Sequence, residues 1–318
     1  MTAHLRESDR TTPAALPAET PRTRSRTRRP RRRLLEGWVP YLFIAPFLLS
    51  FLIFFAVPSA FSIALSFFKY RGYGQASWAG IDNYASLFQS PDFWQSVSNT
   101  LFYWLVPVVP LIGGAFLLAL LVRSRLSAWP RAYKPLLFVP QVMAPVAAAI
   151  VWRVILSSEG VLNSVFGINI NWISDPTAGK WGVVLLLIWR GIGWYFVIFL
   201  SGLTSVPDEL LEAAELDGAG TWTRIRYIIV PMMRPIFLFA VVIDTISSLQ
   251  LFTEPNLLLG NASSPAGAPP SAAPIMNQVV LNITSGQFGL AAAVGWLMFI
   301  AIGIFSIIQF RLFREDNR

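Results

Sequence analysis

EAAELDGAGTWTRIRYIIVPMMRP, residues 212–235, decides how the chain is read. It starts as a polar, helix-forming run, breaks at Gly218 and passes into an apolar stretch punctuated by Pro231 and Pro235. Apolar runs long enough to cross a bilayer, which takes about 20 residues per helix, lie on both sides of it. The stretch is therefore a loop that a membrane-embedded body presents to something outside the lipid.

Composition supports that frame. Of 318 residues, 54% are hydrophobic and only 13% charged, and the mean hydropathy is +0.55. The absence of cysteine removes disulfide frameworks, zinc–thiolate sites and thiol redox centres from consideration. The single histidine is His4, so histidine-based catalysis and metal sites are excluded with them. The net charge of +8 is concentrated at one end, where ten arginines precede residue 34. Residues 1–34 carry almost no large apolar side chains to offset their ordering entropy and are expected to form a disordered basic tail, with a membrane domain over 35–318. Within the tail, RTRSRTRRPRRR at 22–33 reads as a cytoplasmic segment that sets orientation and touches anionic headgroups. Nucleic-acid binding lacks aromatics between the arginines, and an export signal lacks a short apolar core and a cleavage site.

Six membrane segments follow, at about 41–68, 97–122, 135–156, 182–203, 227–249 and 288–310. Positive charge alternates between their loops. Arg123, Arg125, Arg131 and Lys134 lie after the second segment, Arg224 and Arg226 before the fifth, and Arg311, Arg314 and Arg318 at the end. The alternate loops hold only Lys69, Arg71 and Lys180. By the positive-inside rule both termini and the Glu212 loop face the cytoplasm. The expected fold is an all-α membrane protein of six transmembrane helices. The first outer loop, with WAGIDNY at 78–84 and FWQSVSNT at 93–100, suits short interfacial helices, and NASSPAGAPPSAAP at 261–274 has the composition of a flexible cap or connector. Prolines 46, 58, 107, 110, 140, 145, 231 and 235 fall inside the apolar segments. Each frees a backbone group that lipid cannot satisfy, which fits a bundle enclosing a wet path as well as the ordinary tolerance of membrane helices for proline.

Charge inside the segments is sparse: Arg153, Arg190 and Asp244. Such groups usually face a cavity or a partner. Arg153 lies near enough to the outer surface to snorkel, whereas Arg190 and Asp244 are deeper and fit a pair or a polar cavity wall. Around them, Trp189, Trp194, Tyr195, Ser247 and Gln250 combine aromatic faces with hydroxyl and amide groups. That chemistry suits a polyhydroxylated ligand, whose C–H faces stack on rings while its hydroxyls take hydrogen bonds; ordinary helix packing uses the same residue types. A proton-driven carrier would show a chain of buried acids or histidines. No GxxxxGK[ST] loop is present, so ATP hydrolysis has to come from another chain.

The loop itself is built for contact. PDELLEAAEL at 207–216 is a strong helix former with an acidic first turn, and Ser205 is placed to cap it. Gly218 permits a tight or left-handed turn before TWTRIRYIIVP leads back into the membrane. Small Ala213, Ala214 and Ala219 give a low profile that suits a docking knob; an amphipathic helix lying on lipid is the other reading.

EAA at 212–214, DGA at 217–219 and the Val230, Pro231 and Pro235 spacing resemble the EAA motif of bacterial binding-protein-dependent ABC importer permeases, inner-membrane components of the carbohydrate-uptake type. The match extends over most of 41–312 and is closer to the first permease subunit of the maltose and glycerol-3-phosphate type. The resemblance implies a type I ABC importer permease fold with a cytoplasmic coupling helix in the loop 205–226. Glu212, Ala213, Ala214, Asp217, Gly218 and Ala219 would couple to separate ATPase subunits that hold ATP and Mg. It further implies a second permease subunit, an extracytoplasmic solute-binding protein, no catalysis or cofactor in this chain, and a sugar substrate; glycerol-3-phosphate or a glycerophosphodiester is the alternative, and an ATP-independent carrier stands behind both. Two departures qualify it: Ile225 replaces a usual aromatic, and LFTEPNLLLGNASSPAGAPP at 251–270 replaces a Thr-Gly-Gly-Pro-like loop.

Overall fold

Proline sets where the apolar runs widen or bend. In the computed structural model, which describes residues 39–123, 133–260 and 267–313, side chains are described from Tyr41 and, after the first gap, from Pro135. The Arg-rich tail, Arg125, Arg131 and the end of the chain from 314 lie outside the described residues. The described chain divides into two compact units, split between Phe55 and Ala56. In the first, helix α1 (Val39–Phe51) leads into a wider π-helical turn at Leu52–Ala56. Phe43 and Phe54 are 81% and 80% exposed, as suits side chains that face lipid.

The second unit continues with α2 (Val57–Ser66), a two-stranded antiparallel hairpin of β1 (Phe68–Lys69) and β2 (Ser77–Trp78), and α3 (Asp82–Gln89). Next come α4 (Pro91–Arg123), α5 (Tyr133–Val142), α6 (Pro145–Ile155), α7 (Val161–Phe166) and α8 (Pro176–Leu203). The loop helix α9 (Asp208–Leu216) precedes α10 (Thr221–Arg224), a π-helical turn at Ile225–Ile229, α11 (Val230–Met232) and α12 (Arg234–Leu249). Two short helices, α13 (Thr253–Leu259) and α14 (Ile275–Thr284), lead to α15 (Phe288–Phe313). Each π-helical turn sits just before a proline, Pro58 or Pro231, whose ring crowds the carbonyl four residues back and widens the turn there.

Among the described residues, four stretches are long and apolar enough to span a membrane: Tyr41–Ser66, Pro91–Arg123, Pro176–Leu203 and Phe288–Phe313. The third and fifth expected segments are each a bent pair. Pro135–Val142 and Pro145–Ile155 meet at 102°, and Thr221–Met232 and Arg234–Leu249 at 69°. Ala144, directly before Pro145, has ψ 136°, outside the helical region, as the steric conflict with a following proline ring favours. Pro107 and Pro110, by contrast, lie inside unbroken α4.

The bundle is centred on α4 against α8, with α5 and α12 alongside. Phe116, Phe199 and Phe237 join α4, α8 and α12, with ring centroids 4.7–5.6 Å apart. Between α8 and α5 the backbones nearly touch: a Cβ on Gly193 would lie 1.8 Å from the Leu137 carbonyl oxygen. In lipid, where apolar side chains gain little by leaving solvent, close backbone approach of this kind holds helices together.

The segment after the fifth expected segment departs from its expected role. Residues 261–266 lie outside the described ones, but 267–274 are packed and not a flexible cap. Ala268, Ala272 and Ala273 are buried, and polar groups of α4 take up the backbone. Asn99 donates to the Pro270 and Ala273 carbonyls (3.2 and 2.9 Å) and Tyr103 to that of Ala272 (2.9 Å), while Thr100 accepts from the Ile275 N–H (2.8 Å). Small side chains let the segment lie close to α4, and its buried carbonyls are thereby satisfied.

Candidate functional site

Two places carry the residues singled out from the sequence. The first is the loop between α8 and α12. Arg123, at the end of α4, donates to the carbonyls of Leu203 and Val206 (the latter at 3.0 Å) and pairs with Asp208 at 2.6 Å. One guanidinium thus fixes the exit of α8 and the start of α9. Ser205 does not cap α9: its hydroxyl donates back to the Gly202 carbonyl (2.7 Å), and Pro207 occupies the cap position without a side-chain bond.

The far end of α9 closes as a Schellman motif. Gly218 has φ +81°, its N–H reaches the Glu215 carbonyl (3.0 Å), and the Ala219 N–H reaches that of Ala214 (2.8 Å). Glu215 and Arg224 pair at 2.7 Å across the turn. Glu212, Ala213, Asp217 and Gly218 are exposed, with Ala214 and Ala219 partly so. Apolar Leu216 and Trp222 beside them are 90% and 69% exposed. The turn is rigidly specified, yet its outer surface is uncovered.

The second place is a cavity of about 380 Å³ between α4, α5, α8, α12 and α13. Of the residues picked from the sequence, Arg190, Trp194, Tyr195, Asp244 and Ser247 line it. Trp189 does not; it packs against Trp152, ring centroids 5.9 Å apart. Gln250 is exposed outside the cavity wall. Trp194 is backed by Phe138 in a stacked arrangement (6.1 Å), which fixes its ring at the wall. Tyr195 donates to Asp244 Oδ1 at 3.1 Å, and Asp244 Oδ2 is buried without a partner among the described residues.

Arg190 and Asp244 do not pair with each other. Arg190 forms an ion pair with Glu254 of α13, a residue the sequence places in the loop beyond the fifth segment. Glu254 is 7% exposed and faces the same cavity, as do Gln141 and Ser248. Arg153 is tied to α13. It donates to the carbonyls of Leu257 and Gly260 (3.2 and 2.9 Å), holding the C-terminal end of α13 where a cation is favoured.

Helices long and apolar enough to span a membrane gather around a polar cavity, and an exposed, turn-locked helix sits between α8 and α12; this is an arrangement that suits a transport permease. The model of the binding-protein-dependent transport system inner membrane component family matches residues 112–316, and the chain belongs to that family. It is an integral-membrane ABC importer permease, one of a family of transport subunits found in bacterial inner membranes. The probable ABC transporter permease protein YesP of Bacillus subtilis (strain 168) is 32% identical over 278 residues, covering 85% of this chain and 89% of its own. The arabinooligosaccharides permease AraP of the same organism is 33% identical over 279 residues, with 86% and 88% covered. The lactose permease LacF of Rhizobium radiobacter is 28% identical over 290 residues, with 88% and 95% covered. In fold, the chain matches a crystal structure of a bacterial ABC transporter that imports the acidic polysaccharide alginate, with a TM-score of 0.74 at 22% identity over 89% of this chain and 98% of that one.

Proposed function

We propose that this chain forms half of a translocation path for a saccharide, driven by separate ATPase subunits that dock on α9. The observation that carries the reading is the cavity. Its volume falls within the roughly 300–1,000 Å³ of small-molecule sites, and its wall combines Trp194 and Tyr195 rings with Ser247, Ser248 and Gln141. A sugar presents C–H faces and hydroxyls to such a wall. The names of AraP and LacF, which describe arabinooligosaccharide and lactose transport, support a saccharide in preference to glycerol-3-phosphate or a glycerophosphodiester.

In this reading each bent pair is one span, so 35–318 forms a six-helix permease domain with both termini and α9 in the cytoplasm and residues 1–34 as a basic tail on anionic lipid. Glu212, Ala213, Ala214, Asp217, Gly218 and Ala219 form the surface that meets the ATPase, on which ATP and Mg are held. A second permease subunit completes the path, and an extracytoplasmic binding protein delivers the sugar to it. Closure of the ATPase dimer draws the coupling helices together and alternates access to the cavity.

Reconstitution tests the assignment. Vesicles holding this chain, its sister permease and the ATPase, with binding protein and ATP supplied on the appropriate sides, are expected to accumulate labelled saccharide. Omitting any one component should stop accumulation. Solute movement by this chain alone down an ion gradient would identify a secondary carrier instead.

A further inference from the structure

The charges around the cavity do not balance in the way an anionic ligand needs. Among the described lining residues there is one cation, Arg190, and two carboxylates, Asp244 and Glu254. Arg190 is already compensated, because Nη1 is bonded to Glu254 Oε1, and Glu254 is held in place by a helix whose far end Arg153 caps. Asp244 has no cation beside it: Tyr195 donates to one oxygen and the other lacks a partner among the described residues. An anion entering this space meets a neutralised guanidinium and an acid that offers no counter-charge. In a low-dielectric cavity, an unpaired charge is strongly disfavoured.

A neutral polyol meets a different wall. Asp244 lies on the wall with Oδ2 buried and unpartnered among the described residues; a carboxyl accepts from a hydroxyl when ionised and donates to one when protonated, so it tolerates a polyol in either state. Arg190 Nε is also buried without a partner among the described residues. Ser247 and Ser248 complete a set of groups that suit hydroxyls without adding charge.

We propose that this cavity selects uncharged saccharides over uronates and phosphates, and that Glu254 is the specificity-determining residue because it masks Arg190. The inference rests on the saccharide reading above and goes beyond it by assigning selectivity to a residue of the permease, independent of what the binding protein prefers. Arg190 alone would be a ready-made carboxylate site, since its planar fork matches a carboxylate in bidentate fashion. Glu254 takes one prong of that fork, Nη1, and supplies the opposite charge from within the wall.

The test measures binding to the complete purified importer in detergent, without binding protein and without nucleotide. Isothermal titration is run with matched pairs of neutral trisaccharides and their C6-oxidised uronates in the gluco, galacto and manno series. The wild type is expected to bind at least one neutral trisaccharide and to bind its uronate at least about tenfold more weakly, the scale of one lost charge-assisted contact. Glu254→Gln should reverse the order by freeing Arg190. The double variant Glu254→Gln, Arg190→Gln should bind the neutral sugar and lose the gained uronate affinity; it also keeps the inference testable if Glu254→Gln alone assembles poorly. Equal wild-type binding of neutral and oxidised partners, or a double variant that still favours the uronate, would overturn the selectivity while leaving a saccharide path in place. Failure of every trisaccharide to bind would overturn both.

Discussion

Glu212→Lys in the assembled importer is expected to abolish saccharide uptake and binding-protein-stimulated ATP hydrolysis together, while membrane insertion and helix content stay at wild-type levels. Glu212 is exposed and makes no side-chain hydrogen bond or ion pair among the described residues, so its replacement removes nothing from the permease itself. The loss falls on the docked state. Reversing a charge that a partner's cleft desolvates leaves that cleft mispaired, an effect of about 2–5 kcal/mol, or roughly 30-fold and upward in the docking equilibrium. Gly218→Pro should give the same phenotype by another route. A proline ring requires φ near about −65°, whereas this residue sits at +81°, so the Schellman turn opens and α9 is re-aimed. Wild-type uptake and ATPase rates in both variants, measured in vesicles, would remove the docking role from this loop.

The second large effect lies inside the bundle. Arg190→Ala leaves Glu254 buried on the cavity wall with no compensating charge. Breaking one side of a buried pair typically destabilises by about 3–5 kcal/mol, and proton uptake by the orphaned carboxyl absorbs part of that. The variant should therefore unfold in detergent at a clearly lower temperature than the wild type. Adding Glu254→Gln should recover most of the loss, because the pair is then replaced by two uncharged side chains. A double variant no more stable than Arg190→Ala would mean that the two residues act independently.

The residues on which these two predictions rest differ in how far they could be read from the chain. The end of α9 was legible: a polar helix former, Gly218 where φ turns positive, and small alanines at the turn. Its start was misread, since Ser205 bonds back to Gly202 and does not cap the helix. Its anchor was not legible either. Arg123 entered as one more positive charge after the second segment, and nothing local marks it as the group that binds Leu203, Val206 and Asp208, 80 to 85 positions away in the chain. Asp244 and Arg190 stand out because a charge in an apolar run is conspicuous. Their partners do not: Tyr195 is one aromatic among many, and Glu254 belongs to a seven-residue helix beside a Pro- and Ala-rich stretch that composition reads as a connector. Burial of 267–274 depends on Asn99, Tyr103 and Thr100 reaching across from α4, a pairing that local composition cannot express. Proline positions were visible, but their effect was not. Pro145 ends a helix and bends a span, while Pro107 and Pro110 ride within α4. At Pro145 the preceding Ala144 leaves the helical region, with ψ 136°, whereas α4 stays helical through both of its prolines.

If α9 faces the cytoplasm and touches an ATPase, a single thiol placed on it reports both. Because the chain contains no cysteine, Ala213→Cys places a single reactive thiol in this permease, on the exposed face of that helix. Labelled with a benzophenone maleimide in inverted membrane vesicles and irradiated, the variant should form one dominant covalent adduct, with the ATPase subunit, and its thiol should resist membrane-impermeant maleimide added outside intact cells. A thiol that reacts from the outside, or that forms adducts with lipid and none with an ATPase, would contradict the account.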